Sequence, residues 1–390
     1  MTCLDGFVSK NLAAQARLGP LSDLRVAVKD NIEVEGLAFT AGHRLYAMRT
    51  GQRTASAVRK LEDAGAFVVG TTFTDSGGFG VTTPAVVNPI DAAVTAGGSS
   101  GGSAVAVARG FAELGIGTDT AGSIRIPAAC CGLYGFKPSY GLVPLDGVWP
   151  LSTSFDHVGL LAKTLDELDR ASMEMMDASM QLSSLPKDAR VMIGVECESP
   201  AFRDPVICQR LNEAIERLAE TGHSIVPVDL PDRETCMRAH GVITLLEAAR
   251  TYGELLPAEM GMLGPAAIRA LRSSESISAE DIRAAKAHLT KIRAHMNELF
   301  EAVDMLLVPT LAGRPPAHDA RHMKAGGVTM PTLPGLIYET CLFNLCGNPV
   351  VAVPSSRTAP GEIPFHVQIA ARTKRDSDAL QLASLVGACL

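Results

Sequence analysis

The sequence predicts an α/β fold, and two observations support this prediction. Short apolar runs that end at Gly, Pro or polar clusters alternate with helical segments along the chain, which is the order typical of a sheet covered by helices. Hydrophobic residues make up 47% of the 390 positions and aromatic residues only 5%, so a sizeable core of Ala, Val and Leu can form. Length alone allows one large domain or two.

The first half of the chain contains short strands with helices between them. Residues 54–65 repeat apolar side chains on one helical face and end at Gly65. Thr164 and Glu167 have the spacing of a capping box, which begins a helix that reaches about residue 176. The other predicted helices are residues 103–109 and 123–131, and the predicted strands are residues 24–28, 66–69, 113–117, 133–137 and 158–161.

The second half continues the alternation and adds a helical region. Residues 205–222 are amphipathic and predict a helix, and residues 234–300 are largely helical. Polar residues 181–188 indicate a linker, and the Pro/Gly-rich residues 313–334 indicate a loop without regular structure. The predicted strands here are residues 191–195, 224–230, 305–308 and 350–353.

Charge, apolar runs and cysteine content indicate where the protein is located and which classes of partner it does not bind. A net charge of -7 at pH 7 argues against a globally basic surface for nucleic acid. No apolar run approaches the roughly 20 residues of a membrane span, and the first residues lack a signal-peptide layout. Nine scattered cysteines are typical of free thiols in a reducing compartment. We expect a cytoplasmic protein that binds neither nucleic acid nor membrane.

Two glycine-rich blocks, residues 97–103 and 117–127, are the candidate active site, because glycine lets the main chain approach a ligand closely. They lack the Lys of a phosphate-binding loop and the Gly-x-Gly-x-x-Gly register, which disfavours nucleotide binding. Ser123 is the candidate nucleophile. The residues Thr120-Ala121-Gly122 before it offer consecutive N–H groups that can bind a developing oxyanion.

The sequence offers two candidates for the base that activates Ser123. Asp156 and His157 are adjacent, so on a strand they point to opposite faces and do not make a Ser-His-Asp triad. Lys29 directly follows a predicted strand, and a buried lysine with a lowered pKa can accept a proton. The alternative for Lys29 is a structural pair with Asp30 or another carboxylate.

These motifs closely resemble those of the amidase signature family, and the resemblance extends over nearly the whole chain. It implies one α/β/α domain over residues 1–390 with a large mixed β-sheet covered by helices, a signature core at about residues 24–165 and a helical region at about residues 234–300. The matching segments are Lys29-Asp30-Asn31, residues 97–103, 117–129, 131–138 and 154–159, then residues 307–310, 343–349 and 367–368.

The resemblance implies a Ser–cis-Ser–Lys triad without metal or cofactor. Ser123 is then the nucleophile, Ser99 the bridging serine on a cis peptide bond, and Lys29 the base. Ser100 is expected to cap the backbone or to join the proton network, while Asp119 and Arg125 are expected to form an ion pair that holds the turn. The implied oxyanion donors are the N–H groups of Thr120, Ala121, Gly122 and Ser123.

The implied activity is hydrolysis of a small carboxamide to carboxylate and ammonia through an acyl-enzyme. One alternative is a subunit of the glutamine-amidotransferase type that feeds ammonia to a partner, and another is a non-catalytic amidase-like protein. The short segment before Lys29 is similar to compact small-amide amidases, which weakens the match to the amidotransferase type. Formation of a homodimer remains open. Residues 40–46, 145–151 and 313–336 are expected to form the pocket walls.

Overall fold

The computed structural model describes residues 4–176, 185, 189–198, 200–255, 257–359 and 361–390. At its centre is an eleven-stranded mixed sheet. The strands of the described residues, eleven in this sheet and two in a separate hairpin, are β1 (Phe7–Lys10), β2 (Arg25–Lys29), β3 (Phe67–Thr72), β4 (Leu114–Thr118), β5 (Tyr134–Lys137), β6 (Val158–Ala162), β7 (Met192–Glu196), β8 (Ser224–Val228), β9 (Met305–Pro309), β10 (His322–Ala325), β11 (Val328–Pro331), β12 (Val350–Pro354) and β13 (His366–Ala371). The order across the large sheet is β1-β3-β2-β4-β6-β5-β12-β13-β9-β7-β8, and β10 pairs with β11 separately.

Helices connect the strands and pack against the sheet, as the sequence predicts for an α/β fold. No helix in the described residues is both long and apolar enough to span a bilayer. The α-helices are α1 (Ser56–Asp63), α2 (Gly101–Ala108), α3 (Arg125–Cys131), α4 (Leu165–Met175), α5 (Pro205–Glu220), α6 (Arg233–Tyr252), α7 (Pro257–Met260), α8 (Pro265–Ser274), α9 (Ala279–Ala302), α10 (Thr332–Ile337), α11 (Leu342–Cys346) and α12 (Asp376–Cys389).

Strand β2 and its neighbours bring the two glycine blocks together. β2 lies between β3 and β4 and is parallel to both, so the carboxyl ends of these strands meet at one edge of the sheet. Lys29 ends β2, while Thr118, the second residue of the second glycine block, ends β4. The first block runs into the first turn of α2, which packs against β2 and β4. The edge where these strands end is therefore where the candidate residues meet.

The burial of Lys29 follows from the alternation of side chains on β2. Ala27 and Lys29 are two residues apart and share one face of the strand. Ala27 packs in the cluster that contains Val105 of α2 and Ile124 before α3, whereas Val28 packs in the cluster on the other face. Lys29 is therefore directed toward the side of the sheet that α2 and α3 cover, and its side chain is completely buried.

The structure corrects the prediction of a loop without regular structure over residues 313–334. This segment contains the hairpin of β10 and β11, whose turn is Gly326-Gly327 with both glycines at positive φ, and the beginning of α10. The alternation of polar and apolar residues along β10, His322-Met323-Lys324-Ala325, and the Gly-Gly turn are the signals that sequence reasoning missed. The predicted linker, residues 181–188, lies outside the described residues except for Leu185.

Candidate active site

The side chain of Lys29 is surrounded by hydroxyl groups. Its Nζ lies 2.8 Å from Ser99 Oγ and 2.7 Å from Thr118 Oγ1. The carboxylate of Asp30 accepts hydrogen bonds from Thr40 and Gly42 instead. The structural alternative of a Lys29–Asp30 pair is therefore absent from the described hydrogen bonds, and the lysine amine faces the bridging-serine candidate.

Burial lowers the pKa of Lys29 to about 7, since the interior disfavours the charged ammonium. The carboxylates of Asp119, Asp156 and Asp75 act in the opposite direction but do not restore the usual value. An amine with this pKa is partly neutral near pH 7. It can therefore accept a proton from a hydroxyl that is within hydrogen-bond distance.

The first glycine block holds Ser99 against the lysine. The Gly98–Ser99 peptide bond is cis, as the resemblance implies. The Ser99 carbonyl accepts hydrogen bonds from Thr74 Oγ1 at 3.0 Å and from the Asp75 N–H at 3.2 Å. A Cβ at Gly98 would lie 2.6 Å from the Thr82 nitrogen, so this close approach requires glycine. The backbone on both sides of Ser99 is thus fixed.

Ser100 joins the two glycine blocks. Its hydroxyl donates to the Thr118 carbonyl at 3.2 Å, and its N–H donates to the Ser123 carbonyl at 3.2 Å. Ser100 is the N-cap residue of α2, but its side chain makes no capping hydrogen bond to that helix. Its hydroxyl bonds to a main-chain carbonyl of the neighbouring segment instead. The segment that bears Ser123 is therefore tied to the segment that follows Ser99.

The predicted ion pair of Asp119 and Arg125 is present and fully buried. Arg125 donates from Nε and Nη2 to the two carboxylate oxygens of Asp119, each at 3.0 Å. Burial raises the pKa of Asp119, but the charge of Arg125 and its hydrogen bonds outweigh this effect and hold the pKa well below its usual range. The remaining donors of Arg125 reach the carbonyl of Thr340 and the side chains of Asn344 and Gln368.

The oxyanion-hole prediction needs a correction at Gly122. Its N–H donates to Asp119 Oδ1 at 2.7 Å and is therefore already engaged. Within the described residues, no hydrogen bond uses the N–H groups of Thr120, Ala121 or Ser123. Gly122 has a φ of +133°, where a Cβ would also collide with Thr340 Oγ1, so this turn requires glycine.

The hydroxyls of Ser99 and Ser123 are not hydrogen-bonded to each other in the described part of the chain. Ser123 is nearly buried, with 5% of its surface exposed. It follows the turn formed by Asp119 and Gly122 and precedes α3 by two residues. The structure thus brings Lys29 and Ser99 into contact and places Ser123 on the adjoining segment, which Ser100 holds.

Asp156 and His157 serve separate contacts. Asp156 Oδ1 accepts from Thr120 Oγ1 at 2.6 Å, and its Oδ2 accepts from the N–H groups of Leu151 and Ser152 at 2.9 Å. His157 Nδ1 lies 2.7 Å from the Phe155 carbonyl. These bonds agree with the exclusion of an Asp156–His157 triad, and Asp156 instead braces the loop that bears Ser123.

The wall beside Ser99 is apolar. A Cβ at Gly78 would lie 3.6 Å from Ser99 Oγ and 3.5 Å from Leu151 Cδ2, so these groups are neighbours. Phe79, Leu151 and Tyr252 form one apolar cluster there. Tyr252 OH also accepts from Trp149 Nε1 at 2.9 Å and lies 2.8 Å from His43 Nε2. The predicted wall segments 40–46 and 145–151 both meet at this cluster.

Two residues of the site lie outside every motif of the sequence. His240 contacts the Thr120 carbonyl, and Thr340 Oγ1 donates to the Ala121 carbonyl. Thr118, Asn344 and Gln368 lie within the segments that resemble the family, but no local pattern shows which partners they bind.

A model of the family described as Amidase matches residues 8–380 of the chain. The chain belongs to the Amidase family. The family resemblance noted in the sequence is thereby confirmed, and the α/β fold agrees with it. Amidase family members are amide C–N hydrolases or amidotransferases, so the protein is an enzyme of this group.

Known relatives of this Amidase family member match it over most of their own length. A relative from Natronomonas pharaonis, described as a glutamyl-tRNA(Gln) amidotransferase subunit, is 29% identical over 415 residues, which cover 92% of this chain and 94% of the relative. The corresponding protein from Thermus thermophilus is 31% identical over 408 residues, with 93% and 84% covered. A crystal structure described as amidase superposes with a TM-score of 0.87 at 30% identity, covering 95% of this chain and 86% of that chain.

Proposed function

We propose that this chain hydrolyses the C–N bond of a carboxamide and releases ammonia, with Ser123 as nucleophile, Ser99 as bridge and Lys29 as base. The observation that carries the proposal is the buried amine of Lys29, whose pKa is lowered to about 7 and which lies 2.8 Å from Ser99 Oγ. A surface lysine would keep its proton at neutral pH and could not accept another.

Proton transfer in this proposal begins at the hydroxyl of Ser123, which attacks the substrate. Ser123 attacks the amide carbonyl and gives its proton to Ser99, which passes its own proton to Lys29. The N–H groups of Thr120, Ala121 and Ser123 support the developing oxyanion, while that of Gly122 holds Asp119. The reverse relay protonates the leaving ammonia, and water then attacks the acyl-enzyme to release the carboxylate.

Two uses of the released ammonia are compatible with this chemistry. The curated relatives from Natronomonas pharaonis and Thermus thermophilus are amidotransferase subunits, and this favours a role in which ammonia passes to a partner protein. The crystal structure described as amidase favours hydrolysis of a small amide by the chain alone. Chain length does not separate the two roles, because the match covers 94% of the length of the Natronomonas relative. We therefore rank the amidotransferase role first and the small-amide amidase second.

Ammonia release by the purified chain tests the proposal. Glutamine, asparagine, aliphatic amides and arylacetamides are compared, each with wild type, Ser123→Ala and the surface control Ser273→Ala. We expect Ser123→Ala to lose turnover and Ser273→Ala to retain it. Near-wild-type turnover in Ser123→Ala would refute the mechanism.

The substrate pattern separates the uses of ammonia. Release from glutamine that rises when co-purifying proteins are retained supports the amidotransferase role. Rapid release from neutral amides by the isolated chain supports the small-amide amidase. Wild-type protein that releases no ammonia from any of these amides, with or without co-purifying proteins, would favour the non-catalytic alternative.

A further inference from the structure

We propose that His240 of α6 is a positioning residue for the oxyanion hole and that it directs the Ala121 N–H by holding the carbonyl of Thr120. This inference rests on the amide hydrolysis proposed above. It adds a residue from the helical region, about 120 positions from the nucleophile turn, to the machinery that binds the transition state.

His240 is fixed between the nucleophile turn and an aromatic ring. Its Nε2 lies 2.8 Å from the Thr120 carbonyl oxygen, and its ring stacks on Phe155 with centroids 4.9 Å apart. The side chain is buried. A carbonyl oxygen only accepts hydrogen bonds, so Nε2 carries the proton, while Nδ1 faces the Thr244 hydroxyl at 3.5 Å.

The Thr120 carbonyl and the Ala121 N–H belong to one planar peptide unit. Fixing the carbonyl therefore fixes the direction of the N–H on its opposite side. A hydrogen bond accepted by the carbonyl also polarises the peptide and strengthens its N–H as a donor. Since no described residue accepts from the Ala121 N–H, this stronger donor is left for the oxyanion.

The next two peptide units of the turn are oriented by other contacts than His240. The Ala121 carbonyl accepts from Thr340 Oγ1, but the N–H of that peptide, on Gly122, is taken by Asp119. The Gly122 carbonyl accepts from the Ile126 N–H at 2.7 Å, so the Ser123 N–H is aimed by the beginning of α3 itself. His240 therefore orients a free N–H that no bond within the local turn orients.

Helix α6 also holds the loop on the other side of Thr120. Glu247 of this helix accepts from Ser152 Oγ at 2.6 Å and from the Ser154 N–H at 3.0 Å. The same loop supplies Asp156, which binds the Thr120 hydroxyl. The helix thus fixes Thr120 through its carbonyl directly and through its hydroxyl by way of the loop.

Two substitutions of His240 separate the donor from the packing. His240→Phe keeps an aromatic ring against Phe155 but removes the N–H, whereas His240→Gln places an amide N–H close to the position of Nε2. We expect kcat to fall about 10-fold to 100-fold in His240→Phe with KM within about threefold, and His240→Gln to recover much of the loss. His295→Phe is the matched control, because His295 bonds the Asp229 carbonyl at an exposed position.

An oxyanion-specific readout distinguishes positioning from general disruption. The aldehyde analogue of the best amide in the ammonia screen forms a tetrahedral adduct with Ser123, so its inhibition constant reports the oxyanion hole. We expect this constant to rise in His240→Phe by the factor that kcat/KM loses, with the thermal unfolding midpoint confirming a folded variant.

Unchanged kcat in a folded His240→Phe, or a loss of kcat without weaker aldehyde inhibition, would overturn the role of His240. If His240→Phe does not fold, His240→Gln is the deciding variant. A role in packing alone predicts that His240→Gln loses kcat although its amide restores the donor, whereas the positioning role predicts that kcat is largely kept. Failure of the proposed amide hydrolysis is recognised separately, because the wild type would then release no ammonia, or Ser123→Ala would retain turnover.

Discussion

Lys29 and Lys137 are both completely buried, and burial lowers the pKa of each to about 7. Their surroundings differ. The Nζ of Lys29 faces the hydroxyls of Ser99 and Thr118, whereas the Nζ of Lys137 donates to the backbone carbonyls of Pro138, at 3.1 Å, and of Asn348. The two lysines are equally buried, and burial lowers the pKa of both, but their hydrogen-bond partners differ: Lys29 has two hydroxyl partners besides the Thr118 carbonyl at 3.5 Å, whereas Lys137 has only carbonyl partners among the described residues.

The difference shows that a lowered pKa does not by itself identify a base. A carbonyl can only accept, so the partners of Lys137 require it to donate and give a proton no onward route. A hydroxyl can both accept and donate, and therefore stays bonded to Lys29 before and after a proton moves. The kind of partner distinguishes a lysine that crosslinks the chain from one suited to proton transfer.

The strongest test of this comparison is Lys29→Met beside Lys137→Met. We expect Lys29→Met to lower kcat by about 10³-fold, because the base is removed, and Lys137→Met to stay within about threefold of wild type. Lys29→Arg is not expected to restore turnover, since a guanidinium keeps its proton. Steady-state ammonia release measures both. Equal losses in the two methionine variants would remove the distinction drawn here.

Stability is expected to show the reverse order. Lys137→Met leaves the carbonyls of Pro138 and Asn348 without a donor, which costs about 2–4 kcal/mol of unfolding free energy. Urea unfolding at pH 8 measures this value. An unchanged midpoint would mean that the crosslink of Lys137 contributes nothing.

The cost of Lys137→Met is also expected to depend on pH. The folded pKa of Lys137 is about 7 and its ordinary value is 10.5, so the unfolded chain binds more protons between these values. Wild-type stability then rises with pH over this window by up to about 1.4 kcal/mol per unit from this group. The destabilisation by Lys137→Met should therefore be larger at pH 9 than at pH 6.

The pH dependence of kcat/KM is expected to follow Lys29 and not Lys137. Below pH 7 the amine of Lys29 is protonated and cannot act as a base, so kcat/KM should rise about tenfold per pH unit and level off above about pH 7. Lys137→Met should leave this limb in place. If the limb disappears in Lys137→Met, the roles of the two lysines are the opposite of those described.

The smallest effect is expected at Thr118, whose Oγ1 contacts both Lys29 Nζ and Asn31 Nδ2. Thr118→Ser keeps the hydroxyl and should retain kcat within about threefold. Thr118→Val removes it, leaves the amide of Asn31 unpaired, and should lower kcat about tenfold. Identical activity of the serine and valine variants would show that this hydroxyl is not needed beside the base.

The sequence predicted those residues of the site that lie in short, recognisable motifs. Lys29, Ser99 and Ser123 lie in short motifs, and the Asp119–Arg125 pair spans six positions within one turn. The oxyanion prediction was wrong at Gly122, because its N–H is taken by a carboxylate only three positions away. Local patterning could not show which N–H groups the folded turn leaves free.

Strand β13 was not among the predicted strands. β13 carries His366 and Gln368 among its apolar residues, and Gln368 is buried because it binds Arg125 from 243 positions away. The crosslink of Lys137 to Asn348 spans 211 positions. These residues lie in segments that resemble the family, but the sequence does not show their burial, since the partners that satisfy them are known only from the fold.

The guanidinium of Arg125 sets an order for the assembly of the protein during synthesis. It binds Asp119 close by, but also Asn344 and Gln368, which leave the ribosome much later. A buried charge is stable only with its full set of partners. Arg125, two residues after Ser123, therefore has its full set of partners only when most of the chain has been made, and a chain that stops short of Gln368 lacks one of them.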